Sequence, residues 1–118
     1  MRSICTLFTA LAVATTLVPV ARAAPAPRII ATVGPGPLFV VENVRGAPVK
    51  VLRAGRYAFL VRDRSSIRNF HLFGPGVNKR TSVKTVKGHI WFVNLRKGTY
   101  RYRSDPQARS LNGTIKVV

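Results

Sequence analysis

The sequence predicts an all-β domain folded as a sandwich of about eight short strands. Three observations predict it. Apolar residues alternate with a period of two, most clearly where Tyr57, Phe59 and Val61 fall on one side and Arg56, Ala58, Leu60 and Arg62 on the other. That period puts one set against a core and the other against solvent. Gly, Pro and Asn turn signals punctuate the apolar runs at short intervals, as in sandwiches and small barrels. After the N-terminal region, no stretch repeats its apolar residues at the three-and-four spacing of an amphipathic helix.

The elements follow in order. Ile29 to Val33 reads as a first strand, ended by Gly34-Pro35-Gly36-Pro37. Leu38 to Glu42 is a second, and Val49 to Arg53 a third, stopped at Ala54-Gly55. The alternating run from Arg56 to Arg62 is the fourth. Asn69 to Phe73 is the next, closed by Gly74-Pro75-Gly76. Thr81 to Val86 is a weaker strand, with Lys87-Gly88 as the turn after it. Ile90 to Leu95 puts Trp91, Val93 and Leu95 in register as a core face. Arg96-Lys97-Gly98 turns the chain into Thr99 to Arg103, where Tyr100 and Tyr102 oppose Arg101 and Arg103. An Asn112-Gly113 turn leads into Thr114 to Val118. Asn112-Gly113-Thr114 also has the form of a glycosylation sequon and is read here as that turn. The Tyr, Phe and Trp residues sit in alternating strands, which assigns them to the core.

The N-terminal region is of another kind. Arg2 is followed by a largely apolar run, Ile4 to Val20, and then by the small-x-small sequence Ala21-Arg22-Ala23. This is the layout of a secretory signal peptide. The run is short for a membrane span and is broken by Thr15, Thr16 and Pro19. Residues 1–23 are therefore expected to be a signal peptide cleaved after Ala23, 24–28 an extended Pro-containing leader, and 29–118 the single domain. The expected location is secreted or periplasmic. The one cysteine, Cys5, leaves with the signal peptide, so the domain relies on packing and backbone pairing.

The charge is extreme. The chain carries 20 Lys and Arg against 3 Asp and Glu, a net charge of +17. Without Arg2 and Arg22, 18 basic residues face only Glu42, Asp63 and Asp105, and +15 remains. Solubility of a small domain asks for about 2–8. The excess points to an anionic partner: a polyanion, an anionic lipid surface or an acidic protein, a redox partner included.

Two segments carry a family resemblance. Gly55 to Val77 (G-R-Y-A-F-L-V-R-D-R-S-S-I-R-N-F-H-L-F-G-P-G-V) resembles the middle of secreted bacterial cupredoxin-like domains, of the plastocyanin and azurin type. Leu95 to Gly113 (L-R-K-G-T-Y-R-Y-R-S-D-P-Q-A-R-S-L-N-G) resembles their C-terminal copper loop. The resemblance implies a Greek-key β-sandwich with one copper site at one end. It also implies four ligand positions: one His in N-F-H, then Cys, His and Met in a C-D-P-H-x-x-x-M loop. Matched without a gap, these positions are His71, Ser104, Gln107 and Leu111. Only His71 is a ligand type. A serine hydroxyl does not ionise at working pH, an amide oxygen is a poor substitute for imidazole, and leucine has no donor. Type-1 copper is therefore not expected, and no cofactor is; copper at a non-standard site around His71 is the alternative.

No catalytic constellation is visible. The three carboxylates are far apart in sequence, and Ser65, Ser66 and His71 have no acidic third member. His89 falls at the predicted turn beside Gly88, with nothing in the spacing to bring it to His71. The expected role is non-enzymatic: a basic binding or accessory module. Arg62, Arg64, Arg68, Arg101, Arg103 and Arg109 are the candidate anion-binding residues. Lys84, Lys87, Arg96 and Lys97 are also expected at exposed strand and turn positions. Arg68 and Arg109 flank the copper-equivalent end, which is expected to suit an anion better than a metal.

Overall fold

A computed structural model describes residues 25–118 and the short stretch 12–14. Nearly all of the predicted signal peptide, and its cleavage position, lie outside the described residues. The strands are β1 (Arg28–Val33), β2 (Phe39–Asn43), β3 (Val51–Leu52), β4 (Gly55–Asp63), β5 (His71–Gly74), β6 (Val77–Arg80), β7 (Lys87–Leu95), β8 (Gly98–Arg103) and β9 (Asn112–Val117), with one 3-10 turn at Asp105–Gln107.

They form two facing sheets. The first is β2-β1-β4-β7 and the second β3-β9-β8-β5-β6. The chain passes from one sheet to the other at β3, β4, β5, β7 and β8, so neighbours in sequence often lie across the sandwich. The crossovers make β1 parallel to β4 and β3 parallel to β9, while the other pairs are antiparallel. The all-β Greek-key sandwich expected from the sequence is the architecture found.

The core is filled by the inward sets that period two predicts. Ala31 and Val33 of β1, Phe59 and Val61 of β4, Leu72 of β5, Tyr100 of β8, and Ile115 and Val117 of β9 are all essentially inaccessible. Phe70 lies at the centre of an aromatic cluster, with ring centroids 5.7 Å from Tyr102, 5.9 Å from Phe39 and 6.0 Å from Trp91. The buried phenol of Tyr100 is satisfied: it donates to Pro75 O at 2.6 Å and accepts from Arg96 N at 2.9 Å. Such pairing is required of a polar atom in an apolar interior.

Four local expectations need correction. Not every aromatic is in the core: Phe92 faces outward from β7 and is exposed, because it alternates with the inward Trp91 and Val93. Thr81 to Val86 is not a strand. Thr81 instead closes the end of the β5–β6 ladder: its Oγ1 accepts from Phe70 N at 2.9 Å and donates to the buried Asp63 at 2.7 Å. The missing strand lies just before it, as β6, an edge strand whose Asn78, Lys79 and Arg80 are exposed. Lys87-Gly88 is not a turn but the start of β7, which puts His89 inside a strand opposite Val61. Asn112-Gly113 is likewise inside β9, opposite Arg103 and Tyr102. Gly113 is needed there because the Tyr102 ring lies directly over it, and a Cβ would overlap that ring.

Candidate functional site: the copper-equivalent end and the basic face

Ser104, Gln107 and Leu111 lie in one closed loop after β8. Gln107 N bonds to Ser104 O at 3.0 Å, and Ser104 N to Leu111 O at 3.0 Å. Ser104 is fully buried, and its hydroxyl donates to Gln107 Oε1 at 2.7 Å while accepting from Asn69 N at 3.2 Å. The two residues at the Cys and loop His positions thus bond to one another. Leu111 is half-buried.

His71 turns to a different partner. Its Nδ1 lies 2.8 Å from Asp105 Oδ1, and its Nε2 lies 2.6 Å from Asn78 Oδ1. Both ring nitrogens are therefore occupied by hydrogen bonds, to Asp105 and Asn78 and not to Ser104 or Gln107. His89 is in the opposite sheet, packed 6.4 Å from the Trp91 ring.

The organising residue is Asp105, at the start of the 3-10 turn. Besides His71, its carboxylate accepts from Arg103 Nε at 3.0 Å and from Asn69 Nδ2 at 2.9 Å. Burial raises the cost of its charge, but the hydrogen bonds from Asn69, His71 and Arg103 outweigh that and hold the carboxyl at about 2, against an ordinary 3.8. Asn69 is fully buried and spans the junction: Nδ2 also reaches Thr81 O at 3.2 Å, and Oδ1 accepts from Asp105 N at 2.7 Å. Asn69 and Asp105 are 36 residues apart, so no local pattern announces the pair. The signal was their presence in the same two motif segments, N-F-H and S-D-P.

The six candidate anion-binding arginines do not form one patch. Arg62 and Arg64 are exposed around the buried Asp63, at the end of the four-stranded sheet with Lys87. Arg68 is half-buried, and its guanidinium donates to Gly36 O, tying two loops together. Arg109 is exposed on the loop after the 3-10 turn. Arg101 and Arg103 lie on the outer face of the five-stranded sheet.

Register shows what accompanies those two. One row across this face is Arg80, His71, Arg103 and Asn112, and the next is Asn78, Phe73, Arg101 and Thr114. Thr99, Lys116 and Val51 form a third. Arg80 and Lys116 were not singled out from the sequence; they join Arg101 and Arg103 only through strand pairing. The Arg103 guanidinium lies 5.1 Å from the Phe73 ring centre, within cation–π range. A shallow groove of about 250 Å³ lies along β8 and β9, with Phe73, Arg101, Arg103, Asn112 and Thr114 on its walls. Among the described residues, no group of three or more His, Cys, Asp or Glu is placed to hold a metal ion, and no helix is long and apolar enough to cross a membrane.

The class of fold is that of the cupredoxins. Solved structures of rusticyanin are among those it resembles. Reduced rusticyanin aligns over 82% of each chain at 18% identity with a TM-score of 0.54. A Met-to-Gln variant of rusticyanin aligns over 77% of this chain and 76% of that one, at 22% identity and a TM-score of 0.52. At these identities the likeness shows the fold and nothing finer. No protein-family model matches the chain, and no curated protein does either.

Proposed function

We propose that this protein is an exported, non-enzymatic binding module that holds an anionic partner on the outer face of its five-stranded sheet and does not use type-1 copper. The carrying observation is the in-register grouping of Arg80, Arg101, Arg103 and Lys116 around Phe73. Cations at strand spacing match the repeating charges of a sulfated or phosphorylated polymer, and the ring and groove give a partner something to lie against. The polymer contact is electrostatic, so its strength must fall steeply with salt. Export rests on the signal-peptide layout of residues 1–23.

The donor set supports the reading on copper. The four equivalent positions offer one imidazole, a hydroxyl, an amide and an alkyl chain, with no thiolate to make the strong bond of a type-1 centre. The imidazole is bonded at both nitrogens, and the hydroxyl and amide are bonded to each other. The anion is assigned to the sheet face because Arg80, Arg101 and Lys116 stand there outside the Asp105 ion pairs, which hold only His71 and Arg103 of that face.

Heparin retention tests the binding reading. Arg101→Ala with Lys116→Ala should lower affinity about tenfold at physiological salt and flatten the log-affinity against log-salt slope by about 2. Retention that ignores salt, or a double variant that binds as wild type, overturns it. Titration with Cu(I) and Cu(II) tests the other half. Neither stoichiometric binding below micromolar nor an intense visible charge-transfer band is expected; either one returns His71 to the role of a ligand.

A further inference from the structure

The outer face of the four-stranded sheet has a different chemistry. Strand register places Ile30, Leu60 and Ile90 in one row across β1, β4 and β7. Arg28, Ala58 and Phe92 form the adjacent row. Ile90 and Phe92 are 62% and 57% exposed, on the edge strand of the sheet. Contiguous apolar side chains on an outer face call for a partner, whereas scattered ones do not. Cations bound the patch. Arg28 ends its second row, Arg62 stands in the row beyond Leu60, and the Arg56 guanidinium lies 5.2 Å from the Phe92 ring centre. The one acidic side chain in these rows is Glu42, half-buried on β2 beside Ile30.

We infer that this face seats on an anionic lipid surface, with Ile90 and Phe92 entering the boundary between headgroups and acyl chains and Arg28, Arg56 and Arg62 at the phosphates. An apolar centre ringed by guanidinium groups is complementary to that boundary. It is a poor match to a second copy of the chain. Two copies related by a two-fold axis would bring their arginine rims together, and each carries a large excess of positive charge. The path of the chain points the same way. Pro27 O accepts from Ala58 N at 2.9 Å, and Pro25 and Ala26 line a groove of about 340 Å³ with Leu60, Ile90 and Phe92. Pro25 and Ala26, just before β1, therefore lie beside this face and not the opposite one. The inference does not rest on the polyanion reading, which concerns the other sheet.

The test is depth-dependent fluorescence quenching by lipid-borne nitroxides, in vesicles of phosphatidylglycerol with phosphatidylcholine and of phosphatidylcholine alone. The mature protein, expected to start at Ala24 and so without Cys5, carries a fluorophore on either Asn94→Cys, on the proposed seat, or Thr114→Cys, on the opposite face. Quenching is expected at position 94, dependent on the anionic lipid, and absent at 114. Ile90→Thr with Phe92→Thr keeps strand-compatible residues. It should lower the vesicle partition coefficient at position 94 at least about tenfold, while heparin retention stays as in wild type. Absence of quenching at 94, equal quenching at both positions, equal quenching on neutral vesicles, or a dimer in solution that Phe92→Thr dissociates would each overturn the assignment. Failure of the polyanion reading alone would appear only in the heparin experiment.

Discussion

The two outer faces of this sandwich share an origin in period two and differ in what that period delivers. On the four-stranded sheet the outward positions of β1, β4 and β7 include Ile30, Leu60, Ile90 and Phe92. On the five-stranded sheet those of β5, β6, β8 and β9 include His71, Arg80, Arg101, Arg103 and Lys116. The second face is also tied to a polar network of Asn69, Asp105 and Thr81, which touches the first sheet only at Asp63, the end of β4. Alternation alone tells which side chains face out. It does not tell whether the outward set is inert, apolar or charged as a surface, because that depends on which strands become neighbours.

The largest test of that contrast is Asn69→Ala. It removes two donated hydrogen bonds and one accepted one from a fully buried site, leaving Thr81 O, Asp105 N and a carboxylate oxygen short of partners. A loss of about 3 kcal/mol is expected in urea unfolding. The exposed pair Ile90→Thr and Phe92→Thr should cost less than about 1 kcal/mol. Comparable losses would mean that the apolar face is part of the folding core and not a free surface.

Asp105→Asn is the intermediate case, and it moves stability and binding in opposite directions. The carboxyl is held at about 2, below its ordinary 3.8. Its contribution is therefore fully present above pH 3.8 and lost as pH falls towards 2. With the group partly exposed, solvent screening limits this to about 1 kcal/mol. The variant should be less stable at neutral pH and show a flatter acid limb between pH 4 and 2, read by thermal unfolding. It should also release Arg103 from its ion pair, so heparin affinity rises a few-fold while vesicle quenching at position 94 is unchanged. An unaltered acid limb would remove Asp105 as the organiser of the basic face.

How far the sequence carried these faces can be argued element by element. β1, β4, the second half of β7 and β8 were legible because each buries one alternate set between two sheets. β6 was not: Val-Asn-Lys-Arg has one apolar residue, and an edge strand needs only one pairing partner. Gly113 looked like a turn because the reason for a glycine there, the ring of Tyr102, belongs to another strand. At the site, the resemblance to a cupredoxin copper loop grouped Ser104, Gln107 and Leu111, and the structure closes them into one loop. The Asn69–Asp105–His71 junction and the union of Arg80 and Lys116 with Arg101 depend on pairings between distant segments, and no local spacing encodes those.

The smallest expected effect decides where the anion sits. Arg109 is exposed on the loop at the copper-equivalent end, off the rows that carry Arg80, Arg101, Arg103 and Lys116. A charge outside the contact acts only through screened solvent. Arg109→Ala should therefore change heparin affinity by less than about twofold at physiological salt, with little change in stability. Arg68→Ala should act differently again, through the loop tie to Gly36 O, and show in unfolding before it shows in binding. If instead Arg109→Ala weakens retention as much as the Arg101 and Lys116 pair, the anion seat belongs to the loop end. The outer face of the five-stranded sheet would then be an ordinary solvated surface, and the contrast between the two faces would reduce to the apolar one alone.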